Sequence, residues 1–122
     1  MLEHKHLMIS ADFLRDVFIP SWYETWMSDL IEDLNMTALV EPKAVRDVTI
    51  DNEGITAFSI ITTSHIVLHT WETTTPYKLQ LDVYSCKGFN VDTVIYRLKD
   101  FDILNVKYKF LDRENGFVNI DE

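Results

Sequence analysis

Ser64 and His65 stand side by side, His69 follows four residues later, and Cys86 is the chain's single thiol. A hydroxyl is a weak nucleophile unless a base is positioned against it or strain activates the group it attacks. Imidazole, with an ordinary pKa of ~6.5, suits that proton transfer near neutrality. On residue types alone a Ser-His pair fits a structural strand as well as a reactive site. Cys86 cannot form an internal disulfide, so it reads either as a small core hydrophobe or as a reactive thiol. Four histidines, His4, His6, His65 and His69, raise the question of a metal. No Cys-x-x-Cys, His-Glu-x-x-His or carboxylate cluster accompanies them to complete a ligand set, so no metal is expected.

The elements that must carry these residues follow from periodicity. His65–Trp71 reads as a strand with His65, Val67 and His69 on one face. Before it, Ile55–Thr62 reads as another; after a Thr-rich loop with Pro76, Lys78–Cys86 alternates as a half-buried strand should. His4–Ser10 is expected as the first strand, and Ala38–Glu41 and Ala44–Ile50 as two short ones before a turn at Asp51–Gly54. Trp22, Tyr23, Trp26, Met27, Leu30, Ile31 and Leu34 recur at helical spacing, with Ser21 expected as N-cap and Glu24 completing a capping box. A second helix carries Val91, Val94, Ile95, Leu98 and Phe101 after Asn90 as N-cap. Asn105–Leu111 is the last expected strand, with a fraying acidic tail beyond. This order predicts an α+β two-layer sandwich: an antiparallel-rich sheet with two helices on one face. An uncovered apolar sheet face predicts a homodimer, stacked as four αββα layers.

Size and charge narrow the function classes. The 122 residues suit one domain, 1–122, and 47% hydrophobic with 25% charged residues is ordinary globular composition. No apolar run reaches the roughly 18 residues of a membrane span, and the start has no secretory apolar region, so a cytoplasmic protein away from membranes is expected. The formal charge of −9 argues against nucleic-acid binding. It is compatible with a cationic small substrate, but on charge alone plain solubility is the favoured reading.

The run Thr62-Thr63-Ser64-His65-Ile66-Val67-Leu68-His69-Thr70-Trp71-Glu72, followed by Asp82-Val83-Tyr84-Ser85-Cys86, resembles the processing site of prokaryotic S-adenosylmethionine decarboxylases. Ser64, His65, His69, Thr70 and Trp71 match the family's Ser-His-φ-x-φ-His-Thr-Trp pattern, where φ is apolar. Cys86 sits where its catalytic cysteine is expected, His6-Leu7 resembles its opening, and Gly54-Ile55-Thr56 resembles its Gly-Val-Ser. The resemblance implies a pyruvoyl cofactor made from Ser64 by cleavage between Thr63 and Ser64, leaving subunits 1–63 and 64–122. Such a ketone supplies the electron sink that amino-acid decarboxylation needs and that ordinary side chains lack. By the same resemblance His69 and Thr56 assist processing, Cys86 reprotonates the substrate carbon, and Glu72, Tyr77 and Trp71 are the substrate-binding candidates. The implied reaction converts S-adenosylmethionine to its decarboxylated form for polyamine and spermidine synthesis.

Departures from the pattern fall around the substrate. Thr63 replaces a common Glu, Glu72-Thr73 replaces Pro-Glu, the Gly-Tyr-Ala signature is missing, and Val48-Thr49-Ile50 supplies no aromatic for adenine. Two further readings therefore stand beside the first: decarboxylation of ornithine or arginine, and an unprocessed, non-enzymatic homologue that regulates or partners an active enzyme.

Overall fold

The computed structural model describes residues 3–62 and 64–120. Seven strands form one sheet in the order β2-β3-β4-β5-β1-β6-β7, with every neighbouring pair antiparallel. They are β1 (Lys5–Phe13), β2 (Ala38–Asp47), β3 (Gly54–Ile61), β4 (Ser64–Trp71), β5 (Tyr77–Ser85), β6 (Ile103–Asp112) and β7 (Val118–Asn119). Helices α1 (Pro20–Asp33) and α2 (Val91–Arg97) complete the fold, α2 running on as a 3-10 turn, Leu98–Phe101.

Alternation decides which side of the sheet is covered. Leu7, Ile9, Ala11 and Phe13 of β1, Ile66 and Leu68 of β4, and Leu79, Leu81 and Val83 of β5 are buried on one face. Tyr23, Trp26, Met27, Leu30 and Ile31 of α1 and Val94 of α2 join the same cluster, so both helices lie on that face. The result is a two-layer α+β sandwich, as the element order requires. On the open face stand Thr56, Phe58 and Ile60 of β3, with Phe58 38% and Ile60 41% exposed.

Three local expectations are corrected. Ser21 does not cap α1: the N-cap is Ile19 with no side-chain cap, and Pro20, pre-set at helical φ, opens the helix instead. Glu24 accepts from the Ala44 amide at 3.0 Å, tying α1 to β2 rather than closing a capping box. The two strands expected at 38–41 and 44–50 are one strand, β2, which passes through Pro42 with register shifts between Val40 and Lys43. Pro42 is tolerated because β2 is a sheet edge, where a missing donor and a bulge cost little. Val48–Ile50 lie beyond its end. The tail does not simply fray, since Val118 and Asn119 pair with Asp112 and Leu111. Asn90 does cap α2, accepting from the Asp92 amide at 2.8 Å.

Phe101 sits at the centre of the packing, fully buried, with ring centroids 5.4 Å from Phe13, 5.1 Å from Trp22, 5.8 Å from Tyr23 and 5.0 Å from Trp26. It joins the 3-10 turn to α1 and β1 through aromatic contacts that outweigh area burial alone. Phe101→Ala is expected to cost about 3–5 kcal/mol of stability, read as a fall in the urea unfolding midpoint at unchanged slope. A midpoint within error of the parent protein would refute this account of the core.

Candidate functional site

The sequence-derived candidates fall at two opposite ends of β4. Ser64, half-buried, is its first residue and pairs with Ile61 of β3 and Ser85 of β5. Cys86, also half-buried, follows Ser85 directly, so hydroxyl and thiol belong to neighbouring strands at one rim of the sheet. Its carbonyl accepts from the Glu3 amide at 3.2 Å, which holds the chain in place after β5. Thr63, on the other side of the expected cleavage point, lies outside the described residues.

His69 is five residues further along β4, about 16 Å away at a strand's rise of ~3.3 Å per residue. It occupies the open face opposite Thr56, and Thr56 Oγ1 and His69 Nδ1 share a hydrogen bond of 3.0 Å. The structure therefore joins Thr56 and His69 by a hydrogen bond and sets Ser64 and Cys86 at the same rim, the two groups lying at opposite ends of β4.

The substrate candidates lie at the His69 end. Trp71 has its ring 6.1 Å from that of His69, and its Nε1 donates to Asn52 Oδ1 at 2.9 Å. Asn52 in turn donates to Asp47 Oδ2 at 2.9 Å, so a chain of polar contacts from the β2–β3 turn fixes the indole. The Glu72 carboxylate is engaged by Arg46 through Oε1, while Oε2 is buried with no hydrogen-bond partner among the described residues. Tyr77 is packed on the covered side, its ring 5.4 Å from Phe13 and 5.0 Å from Phe18. Burial and then the Asp16 carboxylate push its phenol above the ordinary value.

Sequence reasoning missed Arg46, Asn52 and, at the Ser64 end, Asp82. Asp82 accepts from His6 Nε2 at 2.6 Å and His65 Nε2 at 3.3 Å. A carboxylate in the middle of the central strand, on the face where the alternation also places Gln80 and Tyr84, was the available signal. Among the described residues no group of three or more His, Cys, Asp or Glu side chains is arranged to hold a metal ion. None of the described helices is long and apolar enough to cross a membrane.

Comparisons with known proteins bear on family through the sequence profile and on fold through a solved structure. The sequence profile described as S-adenosylmethionine decarboxylase matches residues 8–114. No curated protein matches by sequence. Among solved structures, the adenosylmethionine decarboxylase from Aquifex aeolicus is similar at a TM-score of 0.75 and 17% identity, covering 99% of this chain and 97% of that one.

Gly54 sets how closely β3 approaches β4 at the His69 end. A Cβ there would lie 1.9 Å from the Thr70 carbonyl oxygen, a backbone atom that cannot step aside. Gly54→Ala is expected to force the strands apart, costing about 1–3 kcal/mol and shifting the ring resonances of His69. Unchanged stability together with an unchanged His69 spectrum would show that the close approach does not hold the Thr56–His69 pair.

Proposed function

The chain belongs to the S-adenosylmethionine decarboxylase family, and from that premise we propose that it is a self-processing, pyruvoyl-dependent decarboxylase whose cofactor arises from Ser64. The observation that carries the reading is the placement of Ser64 beside Cys86 at one rim of the sheet. The pairing of Ile61 with Ser64 leaves two residues, Thr62 and Thr63, to link β3 to β4.

In the processing step Ser64 Oγ adds to the Thr63 carbonyl carbon and loses its proton to a base. Collapse breaks the Thr63–Ser64 amide and leaves an ester. Loss of the Ser64 α-proton then expels Thr63 as a carboxylate, and hydrolysis of the resulting enamine releases ammonia and leaves a pyruvoyl terminus on residues 64–122. The pyruvoyl ketone supplies the electron sink for decarboxylation when substrate is bound. In this reading the Cys86 thiol, at the same rim, returns a proton to the substrate carbon.

His69 and Thr56 cannot serve the same chain's Ser64 across about 16 Å of strand. The reading therefore pairs two copies, open face to open face and antiparallel, so that each Thr56–His69 pair lies over the rim where the other copy's β4 begins. The half-exposed Phe58 and Ile60 are the apolar surface such a contact would bury. The active unit is then a four-layer αββα homodimer.

S-adenosylmethionine is the substrate assigned here, with the Trp71 ring and the Glu72 carboxylate as its contacts. One observation favours a second reading. The Arg46 guanidinium already engages Glu72, and Val48 and Ile50, 73% and 82% exposed, provide no ring for adenine. A pocket reshaped this way suits ornithine or arginine, whose terminal cation would meet the partnerless Glu72 Oε2. Decarboxylation assays on the three compounds separate these readings, and turnover of a basic amino acid alone would remove S-adenosylmethionine.

Intact mass under denaturing conditions tests the core proposal. Two fragments, one ending at Thr63 and one starting with a pyruvoyl group, are expected, and none from Ser64→Ala. A persistent full-length species would instead make the chain a non-enzymatic regulator or partner of an active decarboxylase. Co-expressing Ser64→Ala with His69→Ala tests the shared site. Each variant alone is expected to be inactive, while the mixed dimer regains activity at one of its two sites. Absence of any recovery from two inactive variants would overturn the pairing of one copy's His69 with the other's Ser64.

A further inference from the structure

Two rows of open-face side chains cross the central strands at the Ser64 end. Register aligns His6, Tyr84 and His65 in one row and Met8, Asp82 and Val67 in the next. The Asp82 carboxylate bridges the first row, with Oδ1 on His6 Nε2 at 2.6 Å and Oδ2 on His65 Nε2 at 3.3 Å. Tyr84 fills the space between the rings, its centroid 5.7 Å from His6 and 5.6 Å from His65. Its hydroxyl meets His4 Nδ1 at 2.9 Å, and the Arg113 guanidinium sits 4.3 Å from its ring centroid.

We propose that Asp82 is a positioning residue, which locks His6 and His65 in one tautomer and thereby fixes the strand end that presents residue 64. An ionised carboxylate only accepts hydrogen bonds, so both Nε2 atoms must carry hydrogen whatever the charge of the rings. Two donors on two oxygens fix both ring orientations and tie β1, β5 and β4 together across the open face. The inference rests on the reading of Ser64 as the processing site. Once the 63–64 bond is cut, residue 64 is a chain terminus, and His65 is the first side chain behind it with an anchor. The amide between the pyruvoyl group and the rest of the strand is that of His65, so the hold on this ring sets where the reactive end points.

The test combines ring spectroscopy with processing kinetics. In full-length Ser64→Ala protein, nitrogen-15 spectra are expected to show His6 and His65 both protonated at Nε2. Adding Asp82→Asn puts an amide donor against one ring and should convert that ring to the Nδ1–H tautomer. In the processing-competent chain, Asp82→Asn is expected to slow cleavage on the order of 10-fold or more, the scale of a small misplacement of reacting groups, with the urea midpoint unchanged. Should Asp82→Asn fail to fold, His65→Gln, which keeps an N–H donor, should process faster than His65→Leu. Equal rates for those two, or unchanged tautomers and wild-type cleavage in Asp82→Asn, would overturn the role of Asp82. A wild-type chain that never cleaves would overturn the processing role of both Ser64 and Asp82, while a tautomer change in the Asp82→Asn spectra would still support the clamp itself.

Discussion

The pairing of β4 between β3 and β5 governs everything else in this molecule. Its register sets Ser64 against Ile61 and Ser85, and His69 against Thr56 and Gln80. A strand's side chains alternate with a period of two, so a slip of one residue would exchange the faces of Ile66 and Leu68 with those of His65 and His69. The slipped state would bury imidazoles among aromatic rings and expose leucine, a loss the helix layer would feel at once. The packing of α1 and the Phe101 turn against the covered face therefore also fixes the chemistry of the open one. Core and site are two readings of a single register.

The periphery secures that register at both ends. Near the Ser64 rim, Lys5 reaches Glu114 at 2.7 Å, and Glu114 also accepts from the His4 amide at 2.9 Å. The hydrogen bond to Glu114 pushes the Lys5 ammonium above its ordinary pKa, with Asp112 and Glu3 adding attraction. Across the sheet, Lys78 meets Asp12 at 2.8 Å, and together with Asn105 holds that carboxyl below the usual range. Single exposed pairs contribute little to stability. Their role here is positional: they pin β1, the strand on which both β5 and β6 register.

Much of this was legible in the sequence because hydrophobic alternation and helical spacing carry long-range information. The strands around Ser64 and Cys86, the apolar stripe of α1 and the Asn90 cap all follow from such patterns. What was not legible depended on neighbours. Ser21 and Glu24 have capping-box spacing, yet the amide of Ala44, 20 residues away, captures the Glu24 carboxylate. Two short strands are expected on either side of Pro42, and only the edge position of β2 lets a single bulged strand pass through it. The tail's pairing to β6 rests on two residues, too short a pattern to detect against a polar background. In the candidate site, the expected strand His65–Trp71 already implies that His69 stands well along it from Ser64, but cannot show that Thr56 is its cross-strand partner. His6, Asp82 and His65 are dispersed over three strands, and nothing local links them.

The same logic bears on specificity. A carboxylate on a flexible loop is adaptable, but Glu72 follows β4 directly, its amide donates to the Glu53 carbonyl at 2.9 Å, and Arg46 from the edge strand holds Oε1. Under the proposed reading, a substrate would meet a carboxylate whose position is already set and whose charge is already partly balanced. A ribose, which gains from two acceptor oxygens at once, profits less from such a group than a single cation approaching the remaining buried oxygen. Arg46 lies on the edge strand β2, where besides Glu72 its side chain makes one long contact, to the Phe18 carbonyl at 3.5 Å, so exchanging this one side chain would free Glu72 Oε1 with little other change. The Ser64 end of β4, bound between β3 and β5, has no comparable freedom.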